Sequence, residues 1–581
     1  MSQREPRNTI PYWTETASLT RFPRLDHDLH VDVLVVGGGI TGLTAGYLLA
    51  RAGRSVAVLE RGRCGSMDSG HTSAHLSAIT DATLTDLETR FGRDHARAVW
   101  DAGYAAIAQI DTIVRDEQIA CEFAWVPGYL YSADDRPSPD EAAALQREAS
   151  LAMALGFDAE FLTDVPFVHR PGIRFDHQAK FHPRKYFAGL AHAIIAHGGQ
   201  LFEHSAVEEF SDHPVRAKVN GCTITAGYVI LATHSPLPGN TPEACADLFQ
   251  TKLALYSTYM VAGRVHSGTV PEALFWSTAT PYTYLRSDRH RDHDVVMYGG
   301  EDHKTGQVTD TSACYMRLEH GLRSLVPGVE LSHRWSGQVI ETTDGLPFLG
   351  ETADRQFAAT GFSGNGMTFG TLGALIACDR IMHRSNPWQE LFAPDRTVLP
   401  GHVWDYLLQN KDYPYYLLRD QFAGAATRSL RTIGRGRGAL VDVGGKRVAA
   451  FRDESGATTL RSAECTHKGC LVAWNDAERT WDCPCHGSRF KANGDVLSGP
   501  AESPLAPVAP PPSAPALQTQ HGWIEAGVGL MVLPVTLAIV AMVAPLIWLF
   551  GSASALTLAS QAPERSSAAA VRPPSKAAPR T

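Results

Sequence analysis

Cysteine is scarce in this chain, ten residues in 581, which excludes the disulfide-dense scaffolds of small secreted proteins. Positive charge is not in excess either. The 52 Lys and Arg stand against 61 Asp and Glu, a net charge of -9, so no basic field is available to hold a nucleic acid. The opening MSQREPRNTIPYWTE has charges and prolines where a signal peptide needs an apolar stretch, and no twin-arginine pair, so the chain is expected to begin in the cytosol. Repeats of solenoid period are also missing. What remains is ordinary globular material, 44% hydrophobic and 19% charged. At roughly 100 to 200 residues per domain it should form two to four folded units, too much for one small binding module.

One long apolar run does occur. Residues 528–550, VGLMVLPVTLAIVAMVAPLIWLF, contain no charge and slightly exceed the roughly 20 residues that span a bilayer. Pro534 and Pro545 are compatible with a helix in lipid. A buried core helix is the alternative, disfavoured because a Ser/Ala/Pro-rich tail follows with nothing to pack against. The tail's Arg565, Arg572, Lys576 and Arg580 against Glu564 would be held in the cytoplasm by the positive-inside rule, whereas the missing signal argues the reverse. The favoured reading is a single-pass C-terminal anchor with the large N-terminal part cytoplasmic.

The stretch VDVLVVGGGITGLTAGYLLARAGRSVAVLERG reads as strand, tight turn, helix, strand. Gly37, Gly39 and Gly42 fit the G-x-G-x-x-G fingerprint, in which the first glycine permits the turn, the second admits a pyrophosphate and the third lets the helix pack on the strand. Ile40 and Thr41 open that helix, whose N-H groups face phosphate charge. The second strand ends in Glu60, placed to bind an adenosine ribose, followed by Arg61. Later, RWSGQVIETTDGLPFLGE precedes QFAATGFSGNGMTFGTLGALIACDRIM, again strand, glycine loop and helix. Here Gly361, Gly364 and Gly366 precede Met367, with a helix expected from about Gly370. Such a loop suits the partial negative charge on the edge of a reduced flavin.

A second cluster, AECTHKGCLVAWNDAERTWDCPCHGSRF, holds four of the ten cysteines. It reads Cys465-x-His467, fifteen residues, then Cys483-x2-His486, two thiolates and two imidazoles on paired loops. A tetrahedral zinc site uses the same ligand types. A Rieske [2Fe-2S] centre does too, with cysteines on one iron and histidines on the other, at roughly -150 to +300 mV. The extra cysteines Cys470 and Cys485, one per loop, favour the second.

These motifs carry two resemblances. VVGGGITGLTAGYLLARAG with Glu60, YVILATHSPL, TDGLPFLG and GFSGNGMTFG resemble the D-amino-acid oxidase (DAO), glycine oxidase and sarcosine oxidase family of FAD enzymes. That likeness implies FAD with its adenine near Val207, its pyrophosphate over Gly37 to Gly42 and its flavin edge against Gly366 and Met367. The loop SGHTSAHLSA, with Ser69 and Thr72, resembles the one that runs beside the flavin. No cysteine precedes TDGLPFLG where some sarcosine oxidases attach flavin, so the FAD is expected to be non-covalent. CTHKGC with CPCHGS resembles the Rieske proteins of quinol-oxidising complexes. This implies Cys465, His467, Cys483 and His486 as ligands, a Cys470–Cys485 disulfide, Ser488 as a hydrogen-bond donor to a bridging sulfur, and Gly499 with Pro500 in the covering loop. A Rieske oxygenase is set aside, because no mononuclear iron domain follows.

The expected architecture is an α/β, Rossmann-like FAD-binding domain of the DAO/glutathione-reductase type interleaved with an α+β substrate domain, then an all-β Rieske domain and one C-terminal transmembrane helix. In residues these are an extension 1–30, the oxidoreductase 31–385, a connector 386–430, the Rieske domain 431–508, a Pro/Ala linker 509–526, the membrane helix 527–551 and a tail 552–581. In PYTYLR, Tyr282, Tyr284 and Arg286 fall at alternate positions of a strand, where aromatic walls and a guanidinium could hold a carboxylated amine. YGGEDHKTG (298–306), His71 and His75 are further candidates, with His75 offered as catalytic alongside Tyr284 and Arg286; His182 and Lys185 are assigned to capping or solvating a helix. The expected function is oxidation of an amine or amino acid by hydride transfer to FAD, with single electrons passed to the Rieske cluster and on to a quinone or other membrane acceptor. An oxygen-using oxidase with a structural or redox-sensing cluster, or a non-catalytic electron-transfer partner, are the alternatives.

Overall fold

A computed structural model describes residues 9–211, 215–237, 239, 241, 249–396 and 430–509. The apolar run 528–550 and its tail lie outside the described residues, among which no helix is long and apolar enough to cross a membrane.

The strand Leu29–Val36 is apolar on both faces, as a central parallel strand must be. Val33 and Val35 point into a core shared with Leu43, Val58 and Leu372. Leu34 and Val36 point the other way, into a core with Ala57, Leu59 and Leu231. Its parallel neighbours are Val56–Leu59 and Cys222–Leu231, with Val33 opposite both Val56 and Tyr228. The sheet extends through Gln356–Thr360 and Phe348–Ala353 on one side and Gln200–Phe202 on the other. The helix Ile40–Arg51 leaves the central strand through the glycine turn. A second helix, Gly366–Ile381, packs beside it and begins one turn before the expected Gly370. Residues of the glycine loop thereby become the helix N-terminus itself.

Chain segments between these strands build a second, nine-stranded sheet. One of its two longest strands, Leu253–Val265, lies antiparallel between the other, Glu330–Thr342, and Asp294–Lys304. The helix Thr311–Leu325 covers one face, burying Cys314, Tyr315, Leu318 and Leu322 against Tyr259, Val261 and Val296.

The C-terminal part is all β: three antiparallel strands, Arg437–Val443, Lys446–Arg452 and Thr458–Ser462, and four shorter ones, Ala473–Asn475, Thr480–Asp482, Arg489–Lys491 and Val496–Ser498. Trp481 and Phe490 fill the space behind the buried Cys465 and Cys483. This part is docked on the oxidoreductase. Thr311 donates to Asn475 (2.7 Å), Ser336 to Glu478 (2.7 Å) and Gln338 to the carbonyl of Gly487 (2.8 Å). Gln307 donates to the Pro484 carbonyl (3.2 Å), and Arg61 to that of Leu497 (3.0 Å).

Candidate active site and metal centre

A cavity of about 640 Å³ opens at the C-terminal ends of the parallel strands and runs toward the long antiparallel sheet. Ligands of open α/β sheets bind at that edge. At one end the wall is Gly37, Gly39, Ile40, Thr41, Glu60, Arg61 and Val207. Gly37 has φ +112°, and a Cβ there would meet the Ala232 carbonyl oxygen at 2.2 Å. Gly42 lies behind the wall, where a Cβ would be 1.8 Å from the Gly37 oxygen, so its task is helix packing. Glu60 accepts from the N-H groups of Gly38 (2.8 Å) and Gly62 (2.6 Å), and burial raises its pKa. Ser69 accepts from Ile40 N-H at 3.1 Å, and Thr72 from Ala74 N-H at 2.9 Å; both hydroxyl residues line the cavity.

The helices Ile40–Arg51 and Gly366–Ile381 begin at this cavity without a side-chain cap, whereas Leu84–Phe91 is closed by a capping box at Thr83. At Gly366 a Cβ would meet nothing nearer than Phe362 at 4.0 Å. Two uncapped N-termini and an open glycine, spaced along one cavity, fit an elongated ligand with a diphosphate at one end and an electron-accepting ring at the other. Gly364 and Met367 line the same wall. Gly361 does not. Its φ of +75° and the 2.3 Å approach of a Cβ to Thr342 make it a backbone requirement and not a ligand contact.

The substrate candidates separate. Tyr284 lines the cavity, its hydroxyl 2.9 Å from that of Thr258 and its ring edge-on to His75 at 5.7 Å. His75 also lines it, but burial, then the Arg286 charge, push its pKa down to about 3, so it is a neutral imidazole that positions the Tyr284 ring. Arg286 does not reach the cavity, contrary to the expectation that it clamps a carboxylate. It is 1% exposed, donates to the carbonyls of Ala74 (2.6 Å), Ser73 (3.1 Å) and Phe181 (3.3 Å), and pairs with Asp288. The alternation that put Arg286 on the same strand face as Tyr284 is real, but its guanidinium is taken up by the carbonyls of residues 73, 74 and 181. Asp288 is buried, yet the Arg286 and Lys180 charges hold its carboxyl below the usual range. His71 donates its Nδ1-H to the Ser336 carbonyl (2.7 Å), fastening the loop beside the cavity to the second sheet, while His182 caps Pro183–Ala196 by accepting from Lys185 N-H.

Among the acids that line the cavity are Asp81, which no motif singled out, and Asp302. Asp81 accepts from Gly364 N-H at 2.9 Å. Burial, together with Asp81 and Glu301, pushes Asp302 up to about 7, against the opposing hydrogen bond from Thr258. Only Asp302 had a sequence signal, its place in YGGEDHKTG.

The four sulfur and imidazole positions converge. Cys465 and Cys483 are buried, and the rings of His467 and His486 lie 4.9 Å apart. Cys470 and Cys485 are joined by a disulfide of 2.03 Å. The Sγ atoms of Cys470, Cys483 and Cys485 fall within 4.8 Å of one another, but the disulfide leaves only Cys483 of these three able to ligate. A hydrogen bond from Cys483 lowers the pKa of the Cys465 thiol against the opposing effect of burial, helped by Ser488 and by the N-H groups of His467 and Lys468. The N-H groups of Cys485 and His486 point at the Cys483 sulfur, whose pKa is raised by its Cys465 neighbour. Two adjacent buried thiols ringed by donors are suited to lose their protons to one metal ion, and the paired imidazoles to hold a second. Ser488 also accepts from Ala501 N-H at 3.1 Å, fixing the loop that carries Gly499 and Pro500. The outer nitrogen of His467 meets Gln250 of the oxidoreductase part at 2.7 Å.

The model of the FAD dependent oxidoreductase family, DAO, matches residues 32–380. The chain belongs to that family. The Rieske [2Fe-2S] domain matches residues 425–511, over the loops just described. The YhfW protein of Bacillus subtilis (strain 168), named for a Rieske 2Fe-2S centre, is 31% identical over 501 residues, 85% of this chain and 96% of its own length. The gamma-glutamylputrescine oxidoreductase of Escherichia coli (strain K12) is 26% identical over 386 residues, 64% of this chain and 88% of its own. Glycine oxidase from Geobacillus kaustophilus shares the fold, with a TM-score of 0.52 at 21% identity, over 64% of this chain and 100% of its own. As a DAO-family member with a Rieske domain, the chain is a FAD-dependent oxidoreductase acting on CH-NH or CH-NH2 groups and carries a Rieske [2Fe-2S] cluster.

Proposed function

We propose that the protein oxidises an amine by hydride transfer within the cavity and sends the electrons singly through its Rieske centre to a membrane acceptor such as a quinone. When bound, FAD supplies a two-electron acceptor and the [2Fe-2S] cluster a one-electron acceptor of raised potential. The chain's own residues supply the link. Gln338 lines the cavity and is fastened there by its N-H to Asp68 (3.0 Å), while its side chain donates to the carbonyl of Gly487, the neighbour of His486. One side chain and one hydrogen bond thus join the cavity wall to a cluster-ligand loop, and this is the observation that carries the reading. Leu497, Ser498, Gly499, Ala501 and Glu502 of the Rieske part complete the same cavity wall. The relative named for gamma-glutamylputrescine supports an amine as reductant.

On this reading the residues proposed to hold FAD are Gly37, Gly39, Ile40, Thr41, Glu60, Arg61, Ser69, Thr72, Val207, Gly364, Gly366 and Met367, with Tyr284 at the reacting end. The helix expected over 527–551 tethers the protein to a bilayer with the catalytic part on the cytoplasmic side. Anaerobic reduction of the detergent-solubilised chain by stepwise amine addition, followed by flavin absorbance and low-temperature EPR on one sample, tests the relay. A Rieske-type signal should grow as the flavin bleaches. A bleached flavin with no signal in an iron-replete sample overturns the relay, and stoichiometric peroxide in air would replace it with the oxidase reading.

A further inference from the structure

We propose that the substrate of this site carries a second positive charge and no carboxylate at the reacting carbon: an oligoamine whose distal ammonium is held between Asp81 and Asp302. This rests on the amine-oxidation reading above and narrows it.

The charge distribution of the cavity is uneven. Its cationic lining residues are Arg61 and Arg63, both at the pyrophosphate end and both engaged, Arg61 with the Leu497 carbonyl and Arg63 with Glu203 at 3.0 Å. Around Tyr282 and Tyr284 the described lining offers no lysine or arginine. Two buried cations of the same sheet, Arg286 and Lys180, lie outside the cavity wall: Arg286 holds backbone carbonyls and Asp288, and Lys180 holds Ser287, Asp288 and Glu272. A substrate carboxylate entering here would lose its water and gain no counter-charge, which is strongly unfavourable.

An ammonium would meet the opposite situation. Asp81 opens onto the cavity with its carboxylate beside the Gly364 N-H, and the Tyr282 hydroxyl reaches the same spot: a Cβ on Gly364 would be 2.6 Å from that hydroxyl and 3.1 Å from the Asp81 carboxylate. Asp302 lines the cavity with its Oδ1 buried and without a hydrogen-bond partner. Burial raises both acids, the Asp81 charge further raises Asp302, and both act on Glu341, which Lys304 opposes. Like charges gathered in an enclosed space, with an acceptor oxygen left over, lack a cation. The rings of Tyr282 and Tyr284, 5.7 Å apart, and Trp276 supply the π faces that an alkylammonium prefers.

Binding is read separately from turnover by the perturbation of the oxidised flavin spectrum, anaerobically, in the FAD-loaded full chain. The probes are diaminobutane, butylamine and glycine. Diaminobutane should bind at least about tenfold tighter than butylamine, and glycine weakest, since desolvated charge pairs commonly contribute that much. Asp302→Asn and Asp81→Asn keep shape and remove charge; each should erase the preference for the diamine, and retained FAD absorbance reports folding, so either variant suffices. Equal binding of diamine and monoamine, or tighter binding of glycine, overturns the inference. Failure of every amine to reduce the flavin overturns the amine-oxidation reading instead, and the binding comparison still decides the cation site.

Discussion

The Rieske loops and the FAD cavity both hold a redox group, and they draw on the chain at opposite ranges. All ligand positions and the disulfide of the first fall within residues 465–486, and their geometry is set by hydrogen bonds between near neighbours, such as Gly469 N-H to Cys465 O (2.9 Å) and Gly487 N-H to Cys483 O (2.9 Å). The second is assembled from Val36 to Glu502, across both sheets and both cofactor domains. A local site depends on its few ligands and little else. A distributed site depends on how distant segments are held, so residues that never touch substrate decide its shape.

The sharpest break of that contrast removes one ligand. Cys483→Ser should abolish the low-temperature EPR signal of the cluster altogether while the flavin absorbance persists, because the FAD cavity does not use that thiol. Loss of both cofactors together would show that the Rieske part is a structural wall of the cavity as well as a relay.

Next in size is Arg286→Met. Removing one partner of a buried charge network typically costs about 3–5 kcal/mol, and here Asp288 would also lose the cation that holds three carbonyl groups together. A fall in Tm is expected, with any change in KM shared by amines with and without a carboxylate. A rise in KM for a carboxylated substrate at unchanged Tm would restore Arg286 as a clamp.

This residue also shows where sequence reading stops. Strand alternation correctly places Tyr284 and Arg286 on one face, but which side chain meets the cavity depends on residues 73–74 and Phe181, more than 100 positions away. The glycine fingerprint, by contrast, is legible because its chemistry is backbone chemistry within six residues, and the Rieske ligands because metal spacing is short-range. Asp81 and Gln338 carry no motif. Their significance arises only when the second sheet and the Rieske part are folded against the first.

A smaller effect is expected at the glycines, and it divides them. Gly42→Ala forces a Cβ to 1.8 Å from the Gly37 oxygen and should lower Tm, by about 1–3 kcal/mol of stability as for other overpacked sites. Gly366→Ala meets open space and should leave the Tm of the FAD-free protein in place while weakening FAD binding. Equal Tm losses for the two would mean that Gly366 is also a packing requirement and remove it from the cofactor wall.

The smallest expected effect is electrostatic. Burial and like-charged neighbours raise Asp302 and Glu341 to about 7, above an ordinary carboxyl pKa of about 4. Between those values the folded chain holds protons that the unfolded chain has released, so stability falls as pH rises from about 4 to about 7 and levels off above. Each group contributes at most about 1.4 kcal/mol per pH unit in that window. Asp302→Asn should therefore match the parent protein in Tm near pH 4 and exceed it near pH 8, and a bound dication should narrow the gap by supplying the missing counter-charge. A gap that widens toward low pH would mean that Asp302 is already paired in the folded protein, and the distributed site would then be as self-sufficient in charge as the local one.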